Sequence, residues 1–312
     1  MQNRVMVRIG ARGSNLSRTQ VEEVRQALLN ACPGIDTEVE SFVTTGDIRL
    51  ETPLSLIGGK GVFTSEIEAA LRAGRIDLAV HSLKDLPVED PDGIAIVAIP
   101  ERASVADVLI SRTGRPLSDL DSGAVVGTSS LRRSAQLRNH RPDIRTESIR
   151  GNVETRLRKL MDPDGPYDAI VLAQAGLSRL GLGDRITEVL DFETMLPAPG
   201  QGALAVQAAI GSHNLNRYAA LNHLPTALAV TAERSFLQAL GGGCSLPVAA
   251  FAEWSDGAIS IRGRVTQVDG LSQVDVAVAE PCPDAESAVE IGKRLAALAI
   301  ERGADVLLGA IR

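Results

Sequence analysis

Aromatic side chains are scarce, at 3% of the 312 residues. Cores must therefore be built mainly from Ala, Val, Leu and Ile. Hydrophobic residues still reach 44%, which excludes wholesale disorder. Cysteine is scarce too. Cys32, Cys244 and Cys282 are widely spaced and odd in number, which fits neither a disulfide framework nor a zinc site. The four histidines, His81, His140, His213 and His223, show no ligand spacing, so no metal is expected. Met1–Gly10 has no long apolar run, being broken by Arg4 and Arg8, so neither an export signal nor a membrane span is expected and the setting reads as cytoplasmic. The net charge of −7 argues against a general binder of nucleic acid or anionic membrane. Gly58-Gly59-Lys60-Gly61 lacks the spacing of a phosphate loop.

What is present is punctuated alternation of strand and helix. Val5–Gly10 reads as a strand, Ser14 as the cap of a helix over Leu16–Ala31, and Ile35–Ser41 as a second strand. Thr44–Gly61 has no clear period and reads as a mobile loop able to cover a site. Ser65 and Glu68 have capping-box spacing at the next helix. Ile76–His81 and Ile94–Ile99 read as strands, giving an α/β domain with a largely parallel sheet. After a connector at Arg102–Ser104 a second α/β unit follows. Its expected strands are Asp107–Ile110, Ala124–Gly127, Ile144–Ile149 and Ala169–Ala173, and its helices Leu131–Asn139, Val153–Met161 and Gln174–Leu180. Leu196–Gly202 is a second crossing, and Ala203–Ile210 a strand returning to the first domain. Thr226–Leu240 is helical. Val248–Glu280 reads as antiparallel strands turned at Ser255-Asp256-Gly257 and Asp269-Gly270, and Ala285–Arg302 as a last helix, making an α+β domain.

Three segments carry chemistry. Thr128–Lys159 holds nine positive charges (Arg132, Arg133, Arg138, Arg141, Arg145, Arg150, Arg156, Arg158, Lys159) against three negative ones, inside a chain that is acidic overall. Arginine's planar fork suits carboxylates and phosphates, so the cluster reads either as solvated helix faces or as a site for a ligand with several anionic groups. Arg132 and Arg133 follow Gly127-Thr128-Ser129-Ser130, a strand end, a turn and a helix start whose N–H groups attract anions; Arg150-Gly151-Asn152 repeats the arrangement before Arg156. Base-stacking aromatics are absent from this segment, which weakens a single-stranded nucleic-acid reading. His81-Ser82-Leu83-Lys84-Asp85-Leu86-Pro87 lies at a strand end, where parallel sheets bind ligands. Asp85 can stabilise a developing cation or move a proton, and Lys84 can hold an anion, although a surface pair would look the same. His81 reads as structural. In Leu240–Pro247 three glycines precede Cys244, which reads either as a buried thiol beside a helix stop or as a sulfur presented on a loop tip.

Taken together, Arg8–Leu16, Thr44–Asp47, Gly58–Phe63, Ala79–Pro87, Val126–Arg133, Ser148–Arg156, Tyr167–Gly181, Leu196–Gly202 and Gly242–Pro247 resemble, in order, the motifs of the porphobilinogen deaminase (hydroxymethylbilane synthase) family. The resemblance implies two doubly wound domains like type II periplasmic-binding-protein halves, plus a smaller α+β domain with a three-stranded antiparallel sheet. The division expected is 1–100 with 200–220, then 101–199, then 221–312. It implies head-to-tail condensation of four porphobilinogen molecules, with loss of ammonia, on a dipyrromethane cofactor held to Cys244 by a thioether, and then hydrolytic release of the linear tetrapyrrole. Carried over by motif, Asp85 is the catalytic carboxylate. Ser82, Lys84, Thr128, Ser130, Arg132, Arg133, Arg150 and Gly151 bind cofactor, as Asp85 also does; Arg12, Ser14, Arg156, Arg179, Lys60 and Phe63 serve the substrate side, the last two at the lid. A monomer with no metal, nucleic-acid or membrane partner is implied. Gly241, Ser245 and Gln174 depart from the family's usual residues. Two other classes stay open at this point: a two-lobed solute-binding protein that captures a polycarboxylate reversibly, and a nucleic-acid module built on Arg132–Lys159.

Overall fold

The computed structural model describes residues 5–44, 64–243 and 246–309, and they divide into two compact units, Met1–Arg102 with Ala203–Ala227, and Ala103–Gly202 with Leu228–Arg312.

The first unit is built on one mixed sheet. β1 (Val5–Arg12) is followed by α1 (Asn15–Ala31), β2 (Ile35–Phe42), α2 (Ser65–Arg72), β3 (Leu78–Ser82) and β4 (Ile94–Ala98). Alternation along β1 sends Val7, Ile9 and Ala11 into the α1-side core with Val21, Val24 and Leu28. The opposite face packs on α2 through Phe42, Ile67, Leu71 and Ala79. Gly10 lies on that second face because a Cβ there would fall 2.3 Å from Ile76 Cδ1. Ser14 caps α1 as expected, accepting from the Ser17 N–H at 3.2 Å. The capping box expected at Ser65 and Glu68 is not formed. Ser65 is already helical, Thr64 occupies the cap position without a side-chain bond, and Glu68 pairs instead with Arg72 one turn on.

The second unit opens with β5 (Asp107–Ser111), β6 (Val125–Gly127), α3 (Leu131–His140), β7 (Arg145–Glu147), α4 (Val153–Met161), β8 (Ala169–Ala173), α5 (Gln174–Arg179) and the short β9 (Glu188–Val189). β10 (Leu204–Ala209) then returns to the first unit, beyond the Leu196–Gly202 crossing. The first sheet has the order β2-β1-β3-β10-β4 and the second β7-β6-β8-β5-β9. Each is a parallel trio extended by one antiparallel strand, and beyond that strand lies a further strand running with the trio. Position for position the two orders are the same, and they are those of the type II periplasmic-binding-protein halves. The strand that runs the other way is in each case the one that follows a crossing.

Helix α6 (Leu224–Ala239) leads into the third sheet, β11 (Val248–Ser255), β12 (Ala258–Thr266) and β13 (Gln273–Pro281), all antiparallel, followed by α7 (Ala285–Glu301) and a last turn of helix at Ala304–Gly309. The β11–β12 turn is Asp256-Gly257, both with positive φ (52° and 81°), as a tight hairpin requires. Close approach sets two further glycines. A Cβ on Gly263 would lie 2.5 Å from Phe236 Cζ, and one on Gly292 would lie 2.4 Å from the Ala232 carbonyl oxygen. Sheet, α6 and α7 thus bury a shared core around Phe236, Ile259, Ile261 and Leu295.

Candidate active site

In the first unit the site residues gather where β1 and β3, adjacent and parallel, end side by side. Arg12 is the last residue of β1, and Ser14 follows as the cap of α1. Ser82 ends β3, its Oγ accepting from Gln20 Nε2 at 2.8 Å. A single turn of 3₁₀ helix, Leu83–Asp85, then turns the chain outward. Leu83 is fully buried and anchors that turn, leaving Lys84 half-buried and Asp85 exposed. Sequence spacing alone therefore delivers a carboxylate to solvent at a fixed strand end. His81 alternates with Val80 and points to the α2 side of the sheet, where it is 6% exposed and its Nε2 has no hydrogen-bond partner among the described residues. Burial, helped by the Arg12 charge, holds the imidazole down to about 4, so it is neutral and structural at ordinary pH.

In the second unit the site residues follow the ends of β6 and β7, also adjacent and parallel. Beyond β6, Thr128 is buried and its Oγ1 accepts from the Ser130 N–H at 3.2 Å; Ser130 in turn caps α3, accepting from the Arg133 N–H at 3.4 Å. Beyond β7, Gly151 has φ 119°, and a Cβ on it would meet Thr155 Cγ2 at 2.6 Å. The Gly151 carbonyl accepts from Arg156 Nε at 2.8 Å, and Asn152 caps α4 through the Thr155 N–H at 2.8 Å. Arg150 is half-buried beside them, its carbonyl accepting from Lys159 Nζ at 3.1 Å.

Arg132 and Arg133 are not solvated helix faces. They are 4% and 7% exposed and share a single carboxylate, Asp107 at the start of β5, which is fully buried. Arg133 Nη2 lies 2.6 Å from Asp107 Oδ1 and Arg132 Nη1 lies 2.8 Å from Oδ2. Gln201 Nε2 adds a third donor to Oδ1 at 3.0 Å. Arg133 also donates to the Val171 carbonyl at 3.1 Å, and Arg132 to that of Leu196 at 2.7 Å. Two guanidinium groups on one carboxylate leave a surplus positive charge. Burial pulls Arg132 below its ordinary value, Asp107 opposes that fall and Arg133 adds to it. The Nε–H of Arg132 has no hydrogen-bond partner among the described residues. A buried, pre-ordered donor with excess positive charge suits a ligand carboxylate. Asp107 escaped the sequence reading. Its only signal is an acid at the head of an apolar strand, Asp107-Val108-Leu109-Ile110.

The remaining basic residues of the segment divide differently. Arg141 staples its neighbourhood through the carbonyls of Leu117, Ser118 and Leu120 and through Asp143, whose carboxylate raises the guanidinium further. Arg138 donates to Val268 O and Arg145 to Gly123 O. Arg179 reaches the Gly202 carbonyl at 3.3 Å, and Gln174, one of the departures, accepts from Ser104 Oγ at 2.6 Å, so both hold the crossings.

Lys60, Phe63 and Cys244 lie outside the described residues, as does the loop from Thr45 to Gly61. The approach to Cys244 is described. Gly241, Gly242 and Gly243 have φ of 107°, 60° and 118°, a run of left-handed backbone that L side chains rarely adopt. The Gly241 and Gly242 N–H groups close α6 on Gln238 O and Leu237 O. Beyond Cys244, the Leu246 N–H donates to the Gly243 carbonyl at 3.4 Å. Gly241, one of the departures from the family's usual residues, fits that backbone without strain.

The family model "Porphobilinogen deaminase, dipyromethane cofactor binding domain" matches residues 7–217, and "Porphobilinogen deaminase, C-terminal domain" matches 227–301. Among relatives named "Porphobilinogen deaminase", that of Paraburkholderia phytofirmans is 46% identical over 97% of this chain and 88% of its own length. That of Syntrophotalea carbinolica is 45% identical over 98% and 96%, and that of Acidithiobacillus ferrooxidans 45% over 98% of each. A methionine-bound nutrient-binding protein from Burkholderia cenocepacia is similar at 12% identity and a TM-score of 0.43, over 68% of this chain and 89% of that one, too slight a likeness to bear on function.

Proposed function

The chain belongs to the porphobilinogen deaminase family, and on that premise we propose that Asp85 is its catalytic carboxylate and Cys244 the anchor of its dipyrromethane cofactor. The activity is that of a hydroxymethylbilane synthase, a transferase of tetrapyrrole biosynthesis that condenses porphobilinogen with release of ammonia. When bound, the dipyrromethane supplies a terminal pyrrole as the point of chain growth. The observation that carries the residue assignment is the buried Arg132–Arg133 pair sharing Asp107, with the Arg132 Nε–H unpaired among the described residues. Each pyrrole unit brings an acetate and a propionate. Arg132, Arg133 and Arg150, with the hydroxyls of Ser82, Thr128 and Ser130, the ammonium of Lys84 and the backbone of Gly151, are the groups that would offset the cofactor's charge. Arg12, Ser14, Arg156 and Arg179 would serve the incoming substrate, with Lys60 and Phe63 covering it.

Asp85 acts on the substrate's pyrrole nitrogen. Departure of ammonia from the aminomethyl group leaves an electron-poor carbon and spreads positive charge onto the ring. The carboxylate accepts the pyrrole N–H, stabilises that charge, and takes a proton as aromaticity returns. Its position on a 3₁₀ turn pinned by Leu83 keeps it at the strand end without burying it. Three domains are proposed, 1–100 with 200–220, 101–199 and 221–312; the presence of one sheet in each range supports this. A monomer is proposed from the family resemblance, and work without metal in the cytoplasm from the composition. Among the described residues no helix is long and apolar enough to cross a membrane.

Intact-protein mass spectrometry tests the assignment. Incubated with porphobilinogen, the chain should gain the mass of a covalent primer, and Cys244→Ser should gain none. A wild-type chain that keeps its unmodified mass, or a Cys244→Ser chain that gains the primer, overturns it.

A further inference from the structure

One helical turn beyond Arg132 on α3, Gln136 is 2% exposed and takes part in a closed set of hydrogen bonds. Its Oε1 accepts from the Leu196 N–H at 2.8 Å and from Arg264 Nη1 at 3.0 Å, and its Nε2 donates to the Leu196 carbonyl at 3.0 Å. That carbonyl is the same one that accepts from Arg132 Nη1 at 2.7 Å. Arg264, on β12 and 3% exposed, is fixed in turn by Asp275 Oδ1 at 2.7 Å and the Glu193 carbonyl at 2.9 Å. The direction of the Gln136 amide is thereby determined, because two donors meet its oxygen and a carbonyl meets its nitrogen.

We propose that Gln136 is a positioning residue for Arg132: by holding both backbone groups of Leu196 and tying them through Arg264 to β12, it sets the carbonyl on which the Arg132 guanidinium is seated, and so the aim of that guanidinium at a cofactor carboxylate. Leu196 offers one N–H and one carbonyl, and Gln136 matches both, as a neighbouring strand would. Without it, the Leu196 N–H and Arg264 Nη1 lose a buried partner and the carbonyl is left to Arg132. The segment can then move toward other donors, and Arg132 moves with it. The third sheet, whose neighbouring loop carries Cys244, is thereby kept in register with an arginine of the anion site. This inference rests on the reading of Arg132 and Cys244 given above.

The test uses full-length chains made in cells that lack porphobilinogen, so that covalent loading is followed by intact mass as porphobilinogen is added. Gln136→Met, similar in length but without polar atoms, should load about tenfold more slowly than wild type. Gln136→Glu keeps the acceptor for Leu196 N–H and Arg264 but loses the donor to the Leu196 carbonyl, and should load at a rate between those of Gln136→Met and wild type. Because Gln136 acts through Arg132, Gln136→Met with Arg132→Lys should load no more slowly than Arg132→Lys alone. A merely structural role would instead make the two losses multiply. Should Gln136→Met not fold, Arg264→Met frees the same amide without touching Leu196 and should slow loading about threefold with the same non-additivity. Wild-type loading rates in Gln136→Met and Arg264→Met, or multiplied losses in the double variant, overturn the proposal. A wild-type chain that gains no mass overturns the reading of Cys244 and this inference with it.

Discussion

Replacing Asp107 by Asn removes the carboxylate on which two buried guanidinium groups depend. In the folded chain Asp107 is fully buried, with Arg133 at 2.6 Å and Arg132 at 2.8 Å. At charge-centre separations of about 4 Å and an effective dielectric of about 20, each arginine gains about 4 kcal/mol from it. Desolvation of all three groups offsets much of that gain in the intact cluster. Removing the carboxylate leaves that desolvation cost in place and exposes the mutual repulsion of the arginines. Stranding a buried charge in this way costs about 3–5 kcal/mol. For a unit of this size that is a fall in Tm of about 6–20 °C. Differential scanning calorimetry of Asp107→Asn reads the fall directly. Asp107→Asn with Arg133→Met removes one of the stranded cations and should recover a substantial part of it. A Tm within about 2 °C of wild type, or a double variant no more stable than the single one, would refute the charge balance argued for the arginine pair.

Asp85→Ala should lower turnover by about a hundredfold to ten-thousandfold while leaving the melting temperature unchanged, since the side chain is exposed; near-normal tetrapyrrole output would remove it from the mechanism. His81 is held down to about 4, whereas an unfolded histidine titrates near 6.5, so below about pH 6.5 the unfolded chain binds a proton that the folded chain refuses. Stability should therefore fall as the pH drops from about 6.5 toward about 4, by about 3 kcal/mol at the lower end. Urea titrations across that range should show a shallower profile for His81→Gln, and parallel profiles would exclude His81 as the source. Gly243→Ala meets no atom of the described residues within 4 Å, but its φ of 118° strains any L side chain, so it should cost about 1–2 kcal/mol by urea unfolding and slow primer loading. Gly292→Val drives a side chain against the Ala232 carbonyl and should cost more than about 2 kcal/mol, read from urea unfolding; an unchanged midpoint would mean that α6 and α7 can separate freely.

Much of the fold could be read from local pattern. The helix Val153–Met161 has the bounds its period suggested, and Ser14, Ser130 and Asn152 cap as their positions require. The return of Ala203–Ile210 to the first unit was also legible, because Leu196–Gly202 is so heavily punctuated. The place of β5 and β10 between strands far away in sequence was not, since pairing partners leave no mark on periodicity. Expected capping at Ser65 failed because the Ser-x-x-Glu spacing cannot tell a cap from a first helical turn. At the site, the strand-end location of Asp85 came through residue type and motif. What stayed hidden was which arginines turn inward. Arg132, Arg133 and Arg141 look alike in the sequence, yet Asp107 draws the first two into the unit and Asp143 with three carbonyls claims the third. Gln136 and Arg264 gave no signal, for a buried amide and a buried cation are recognisable only through their partners.

The insertion of β10 between β3 and β4 also dictates an order of assembly. As the chain leaves the ribosome, β4 emerges with no neighbour to bond, and its place at the sheet margin stays vacant until residue 209 has been made. β5 to β9, by contrast, are a contiguous stretch able to close at once. A nascent chain halted near Arg102 would hold two bare strand edges, the features that recruit chaperones or seed aggregates. The enzyme's first unit is therefore begun first and completed after the sheet inserted within it, with a loop of about a hundred residues to be closed at the end.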